Sequence, residues 1–244
     1  MNVELNKKLL DASIKDEIDY DEISSLLEQG ADLLGCYDEE LGDYVLEEIL
    51  MNEYDMSNWD SIDKRGKIVD LIEFFISKGF KPSDIEKSSD DGPSIMWHFH
   101  FIASENGIQI LKKFLDNGLK AEALEDYINH FYTTTAMVGG YYKENDSDEI
   151  KQHFDKLLSY GLKMVMLSAS YPHILNESEY LRSCIEMNDT NKDNNYDLTK
   201  FRDYNNYKYE LDTSTCDHLP YGLRNATVRI KDKQDKSIVW VLHI

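Results

Sequence analysis

A mostly α fold, a solenoid of stacked helical hairpins with a small C-terminal β-hairpin or sheet, is what this sequence predicts. Three observations lead there. A helical apolar stripe ending in glycine recurs four times, each interval is long enough to hold a second helix, and the C-terminal stretch consists of short, β-branched, alternating segments. Of the 244 residues, 41% are hydrophobic. That is enough to bury a core, and it excludes a globally disordered chain.

The first stripe is Ile23, Leu26 and Leu27, closed by Gly30. The second is Ile68, Leu71, Ile72, Phe75 and Ile76, closed by Gly79. Leu111, Phe114 and Leu115 lead to Gly118, and Ile150, Phe154, Leu157 and Leu158 lead to Gly161. Apolar residues at i, i+3, i+4 and i+7 occupy one face of a helix. Each glycine is expected to take the left-handed conformation that ends the helix, and Ala31, Phe80, Leu119 or Leu162 then packs back on the last turn. The glycines lie roughly 40 to 50 residues apart, a spacing typical of stacked helical hairpins.

Each interval also offers its second helix. The candidates are Leu5, Leu9 and Leu10; then Leu41, Val45, Ile49 and Leu50; then Trp97, Phe101 and Ile102; then Leu124, Tyr127, Ile128 and Phe131. A last helix near Tyr180, Leu181, Cys184 and Ile185 is expected to cap the stack. A lone hairpin cannot bury its apolar face, so neighbours must share one core. In the tail, Ala226 to Lys231 and Ser237 to Ile244 read as a hairpin turning at Asp232 to Asp235, and Lys208 to Leu211 adds a third strand.

Formal net charge is -21, but the segment from Leu198 to Ile244 is slightly basic. The expected organisation is therefore an acidic helical repeat domain over 1–187, an Asn/Asp-rich linker over 188–197 and a small β-rich element over 198–244. An acidic surface repels nucleic-acid phosphates and anionic lipid and favours a basic protein partner. No stretch nears the roughly 20 apolar residues that span a bilayer, and no signal peptide is evident. Cys36, Cys184 and Cys216 are sparse and odd in number, as expected of a cytoplasmic protein.

Two segments resemble the ankyrin-repeat family. Leu9-Leu10-Asp11-Ala12-Ser13, followed by Glu22 to Asp32 with its ending Leu26-Leu27-Glu28-Gln29-Gly30-Ala31-Asp32, is similar to a first ankyrin repeat. Ala103 to Gly107, running through Leu115 to Gly118, resembles the second half of another. The likeness covers roughly residues 5 to 165, although the family's period of about 33 residues is exceeded here. The family's Thr-Pro-Leu-His helix start is replaced by the looser Gly92-Pro93-Ser94-Ile95. The resemblance implies a helix-pair solenoid that binds proteins. It also admits a bacterial immunity protein that neutralises a basic toxin, and a DNA-mimic inhibitor is a second form.

Chemistry-bearing motifs are few. The glycine-rich phosphate loops, the nucleophile elbow and the zinc-protease helix motif are absent from the sequence. His98 and His100 fall on different faces of a helix and read as satisfied or surface histidines. Asp189, Asn191 and Asp193 match the first ligand positions of a calcium loop, but Asn194 and Lys200 stand where glycine and a bidentate glutamate belong. The segment also reads as a plain Asn/Asp linker.

The expected function is a non-enzymatic protein–protein interaction module, with no catalytic residue, cofactor or metal. Its candidate partner-binding residues are Glu53, Tyr54, Asp55, Trp59 and Asp60, aromatic anchors within a polar rim; alternatively Trp59 folds under the loop and caps the core. The other readings are an enzyme whose site between solenoid and tail uses Cys216, His218 or His243, and a calcium-responsive adaptor.

Overall fold

The computed structural model describes residues 2–38, 42–52, 67–85, 96, 104–124, 160–161, 163–164, 167–168, 170–177, 185–187, 207–212, 227–232, 234 and 238–243. The chain groups into two compact units, Met1–Leu119 and Lys120–Ile244.

In the first unit, helix α1 (Val3–Ser13) is started by Asn2, whose side chain accepts from the Leu5 amide. Helix α2 (Tyr20–Glu28) is started by Asp19, whose carboxylate accepts from the amides of Asp21 and Glu22. Such oxygens satisfy amides that the first turn leaves without a helical partner, and a negative group there also complements the helix dipole. Strands β1 (Cys36–Asp38) and β2 (Asp43–Tyr44) form a short antiparallel hairpin. Helices α3 (Val45–Met51) and α4 (Lys67–Ser77) follow, then a 3-10 turn at Pro82–Asp84, then α5 (Glu105–Asp116) capped by the Ser104 hydroxyl.

Three of the expected glycine closures are present in one repeated form. Gly30, Gly79 and Gly118 have φ of 97°, 103° and 87°. In each, the residue after the glycine donates to a carbonyl five positions back: Ala31 to Leu26, Phe80 to Phe75, and Leu119 to Phe114. The glycine itself donates three back, to Leu27, Ile76 and Leu115. This paired pattern satisfies carbonyls that the helix end leaves open. Ala31 and Leu119 are buried, and the Phe80 ring stands edge-on to Phe114 at 6.1 Å. A Cβ at Gly118 would meet only Ser83, at 3.8 Å, so the conformation and not crowding requires glycine there. Gly118→Val is therefore expected to cost roughly 1–3 kcal/mol, measured by thermal or urea unfolding. Gly92 closes no apolar stripe, so Gly92→Val is expected to cost less; Gly92 lies outside the described residues.

The fourth closure is corrected. Gly161 is helical and buried, with Tyr160 helical before it and Lys163 and Met164 after it. Met164 and Ser168 beyond it are helical and fully buried, so packed helical residues continue past the glycine. The stripe from Ile150 to Leu158 that precedes it lies outside the described residues, as does Leu162.

Helix α1 packs on α2, α3 and β1, α3 meets β2, and α5 packs on α4 and on the 3-10 turn. Helices α2 and α4 meet through the Tyr20 and Phe74 rings, 4.7 Å apart, and the Lys67 ammonium donates to the Asp16 carbonyl. The largest fully buried side chains are Phe75, Phe114, Leu9, Ile23, Leu46, Ile49, Leu50 and Leu71, drawn from all five helices. Each aliphatic one contributes about 1.5–3 kcal/mol of transfer free energy before entropy is counted. The expected second helices at Leu9 and at Val45 are thus in place. Leu41, Trp97, Phe101 and Ile102 lie outside the described residues.

In the second unit, residues 121–124 are helical and Leu124 is buried, whereas Tyr127, Ile128 and Phe131 fall outside the described residues. Helix α6 (Pro172–Glu177) follows the buried Ser170 and Tyr171. Strands β3 (Ile185–Met187), β4 (Tyr207–Asp212), β5 (Thr227–Asp232) and β6 (Ile238–His243) form one antiparallel sheet in the order β3-β6-β5-β4. The expected C-terminal hairpin and its third strand are β5, β6 and β4. The expected capping helix is corrected at Ile185, which lies in β3 opposite Leu242. Tyr180, Leu181 and Cys184 lie outside the described residues. The alternating triplet Ile185-Glu186-Met187 suits a ladder, and β3 brings into the sheet a strand that precedes the Asn/Asp-rich segment.

Candidate functional site

The segment between α2 and α3 is fixed by one buried polar side chain. Asn6, on α1, is fully buried. Its Nδ2 donates to the Cys36 carbonyl at 2.9 Å, and its Oδ1 accepts from the Asp32 amide at 2.8 Å. Gly35 lies against it so closely that a Cβ would come within 2.3 Å of Nδ2. The Val45 amide donates to the Gly35 carbonyl and the Leu46 amide to the Leu33 carbonyl, tying the same segment to the start of α3. Beyond this base the hairpin turns at Gly42, which has φ 75° and donates to Asp38 at 2.8 Å.

Tyr37, Asp43, Tyr44 and Glu48 occupy this hairpin and the first turn of α3. The Tyr37 hydroxyl donates to Asp43 Oδ2 at 3.5 Å, the long limit of a hydrogen bond. Burial pushes the Tyr37 phenol well above its usual value, and the charges of Glu48 and Asp43 push it further. Tyr20 is raised in the same way by burial and by Asp70. Neither Asp43 nor Glu48 has a cationic partner among the described residues. Tyr44, at 40%, is the one large hydrophobic side chain exposed among the described residues.

These phenols set an alkaline limit. Their folded-state pKa values lie above the unfolded ones, so the native state holds protons that the unfolded chain has already lost. The associated stability is complete below the usual value of 10.0 and is lost as pH rises beyond it. The urea midpoint is expected to fall across that pH, and Tyr37→Phe is expected to fall less steeply. Parallel pH profiles for the two proteins would contradict the assignment.

Over the first unit as a whole, the described carboxylates outnumber ammonium groups by more than two to one. Lys8–Glu4, Lys15–Glu22 and Lys113–Glu73 pair at 2.7 Å and Lys112–Asp116 at 2.5 Å, which further reduces the free cationic charge. Exposed pairs of this kind add little stability, so their main effect is on the surface field.

Glu53, Tyr54, Asp55, Trp59 and Asp60 all lie outside the described residues. So do His98, His100, Cys216, His218 and the segment from Asp189 to Asp197. His243 is placed in β6, opposite Thr227. Cys36 is a buried free thiol whose sulfur lies 3.0 Å from the Asp38 carbonyl oxygen. Among the described residues, no group of three or more His, Cys, Asp or Glu is placed to hold a metal ion, and no helix is long and apolar enough to cross a membrane.

Sequence reasoning passed over the hairpin that sets Tyr37 against Asp43 and Glu48 and leaves Tyr44 exposed. The signal was the glycine of Leu41-Gly42-Asp43, which permits a tight hairpin turn between Tyr37 and Tyr44. Comparison with protein-family models, with curated proteins and with solved structures finds no match to this chain.

Proposed function

We propose that this chain is a non-enzymatic, ankyrin-like binding module that recognises a basic protein in the cytoplasm, in the manner of an immunity protein or inhibitor of a basic toxin or nucleic-acid-binding protein. The observation that carries the reading is Tyr44, an exposed aromatic on the hairpin whose Asp43, like Glu48 in the first turn of α3, lacks a cationic partner among the described residues. Aromatic anchors ringed by polar groups dominate the energetics of protein interfaces. Unneutralised carboxylates add steering of a cationic partner and select against acidic ones. The helix pairs, their repeated glycine closures and the hairpin between α2 and α3 support the ankyrin-like part of the proposal. The contact surface then extends to Glu53, Tyr54, Asp55, Trp59 and Asp60, which follow α3 directly in sequence.

The test is capture of the partner by crosslinking in the native cell, identification by mass spectrometry, and titration of the purified pair. Tyr44→Ala is expected to weaken binding about tenfold or more. Affinity is expected to fall steadily as salt is raised. An acidic partner, or affinity indifferent to both salt and Tyr44→Ala, would sink the proposal.

A further inference from the structure

We propose that β4 pairs antiparallel with β4 of a second copy of this chain, in the register centred on Tyr209, so that two four-stranded sheets join edge to edge. The inference is independent of the acidic binding surface and rests on the sheet of the second unit.

Strand β4 ends the order β3-β6-β5-β4, and no strand lies on its outer side among the described residues. Its six residues pair with β5 in unbroken register from Tyr207↔Asp232 to Asp212↔Thr227. It holds no proline and no bulge, two of the devices that blunt a sheet edge. At the opposite edge β3 has only three residues. A regular edge presents a row of backbone donors and acceptors that another strand can meet.

The sequence of β4 is self-complementary in one register. A two-fold axis perpendicular to the sheet keeps each position on its own face, so only positions of equal parity can stand opposite each other. Centred on Tyr209, the pairing sets Tyr207 against Leu211, Lys208 against Glu210, and Tyr209 against its own copy. These are aromatic–aliphatic, opposite-charge and aromatic–aromatic pairs, the combinations that stabilise neighbouring strands. Shifting the centre to Glu210 would place two carboxylates opposite each other. Within the chain, Lys208 stands opposite Lys231 of β5, a like-charge pair. In the proposed register, Glu210 of the second copy takes the position opposite Lys208 at the outer edge.

A ladder of this length is smaller than a standard interface, so the dimer is weak and depends on concentration. Sedimentation equilibrium of the full chain over a concentration series is expected to approach twice the chain mass of 28.4 kDa. Lys208→Glu alone and Glu210→Lys alone each place like charges opposite across the axis, and each is expected to weaken association about tenfold. Mixing the two single variants restores opposite signs at both positions and is expected to recover the dimer. That recovery cannot come from a merely misfolded chain. A monomer at every concentration overturns the proposal, as does a dimer indifferent to both variants, or a failure of the mixture to recover one. Association only with a different protein through this edge overturns the choice of occupant.

Discussion

Asn6→Leu is expected to destabilise the first unit by roughly 3 kcal/mol, with a Tm lower by about 10 °C. Leucine fills much the same volume, so the cost is not a cavity. The Cys36 carbonyl and the Asp32 amide each lose their Asn6 partner. A backbone group left unsatisfied away from water costs about 1–3 kcal/mol. Asn117 is the control: its Nδ2 donates to the Lys113 carbonyl at 2.8 Å, but at the surface, where water replaces it. Asn117→Ala is expected to cost under about 1 kcal/mol. Gly35→Ala acts on the same contact from the other side, because its Cβ would press on Nδ2. In a double-mutant cycle Gly35→Ala should cost less once Asn6 has been replaced by alanine. Asn6→Leu as stable as the parent would show that the two bonds hold nothing in place. The same lock seats the hairpin that carries Tyr44, so loss of Asn6 should also weaken partner binding beyond what the loss of stability explains.

The helices of the first unit were legible because their stripes and closures are local. Ile23 with Leu26, Leu71 with Phe75, and Phe114 with Leu115 follow the helical period, and Gly30, Gly79 and Gly118 end their helices as the pattern requires. Strands β5 and β6 were legible from their β-branched residues, and β4 from the alternation of Tyr and Leu with charged residues. Gly161 misled because the residues before a closing glycine and before a helical one can look alike. The difference lies downstream, where Met164, Leu167 and Ser168 are helical and buried. Ile185 misled because a three-residue strand has no period of its own, and only its pairing with Leu242 defines it. The hairpin at Cys36–Asp38 and Asp43–Tyr44 was missed for a related reason: Asn6, some thirty residues earlier, sets its position. Long-range partners of that kind leave no mark on local pattern, so the helical frame could be read from sequence and the surface around Tyr44 could not.

Phe114→Ala is expected to cost about 3–5 kcal/mol, because it removes the largest buried side chain of α5. The ring is fully buried and meets Phe80, the residue that follows the Gly79 closure on α4. Its own carbonyl accepts from Leu119 in the next closure, at 3.0 Å. One residue thus joins the packing of α5 on α4 to the ending of α5. Phe74 gives the contrast. It is half-buried, packed against the Tyr20 ring at 4.7 Å and lying under the Lys78 ammonium at 5.3 Å. Phe74→Ala forfeits an aromatic contact and part of its buried area, expected to total about 1–2 kcal/mol. In urea the Phe114→Ala midpoint should fall by roughly 2 M, and that of Phe74→Ala by less than half as much. If the hairpins share one continuous core, Phe114→Ala also loosens α4, and hydrogen exchange should quicken at Leu71 and Ile72 as well as within α5. Exchange confined to α5 would show instead that the helix pairs are stabilised separately, and would count against the proposed stack.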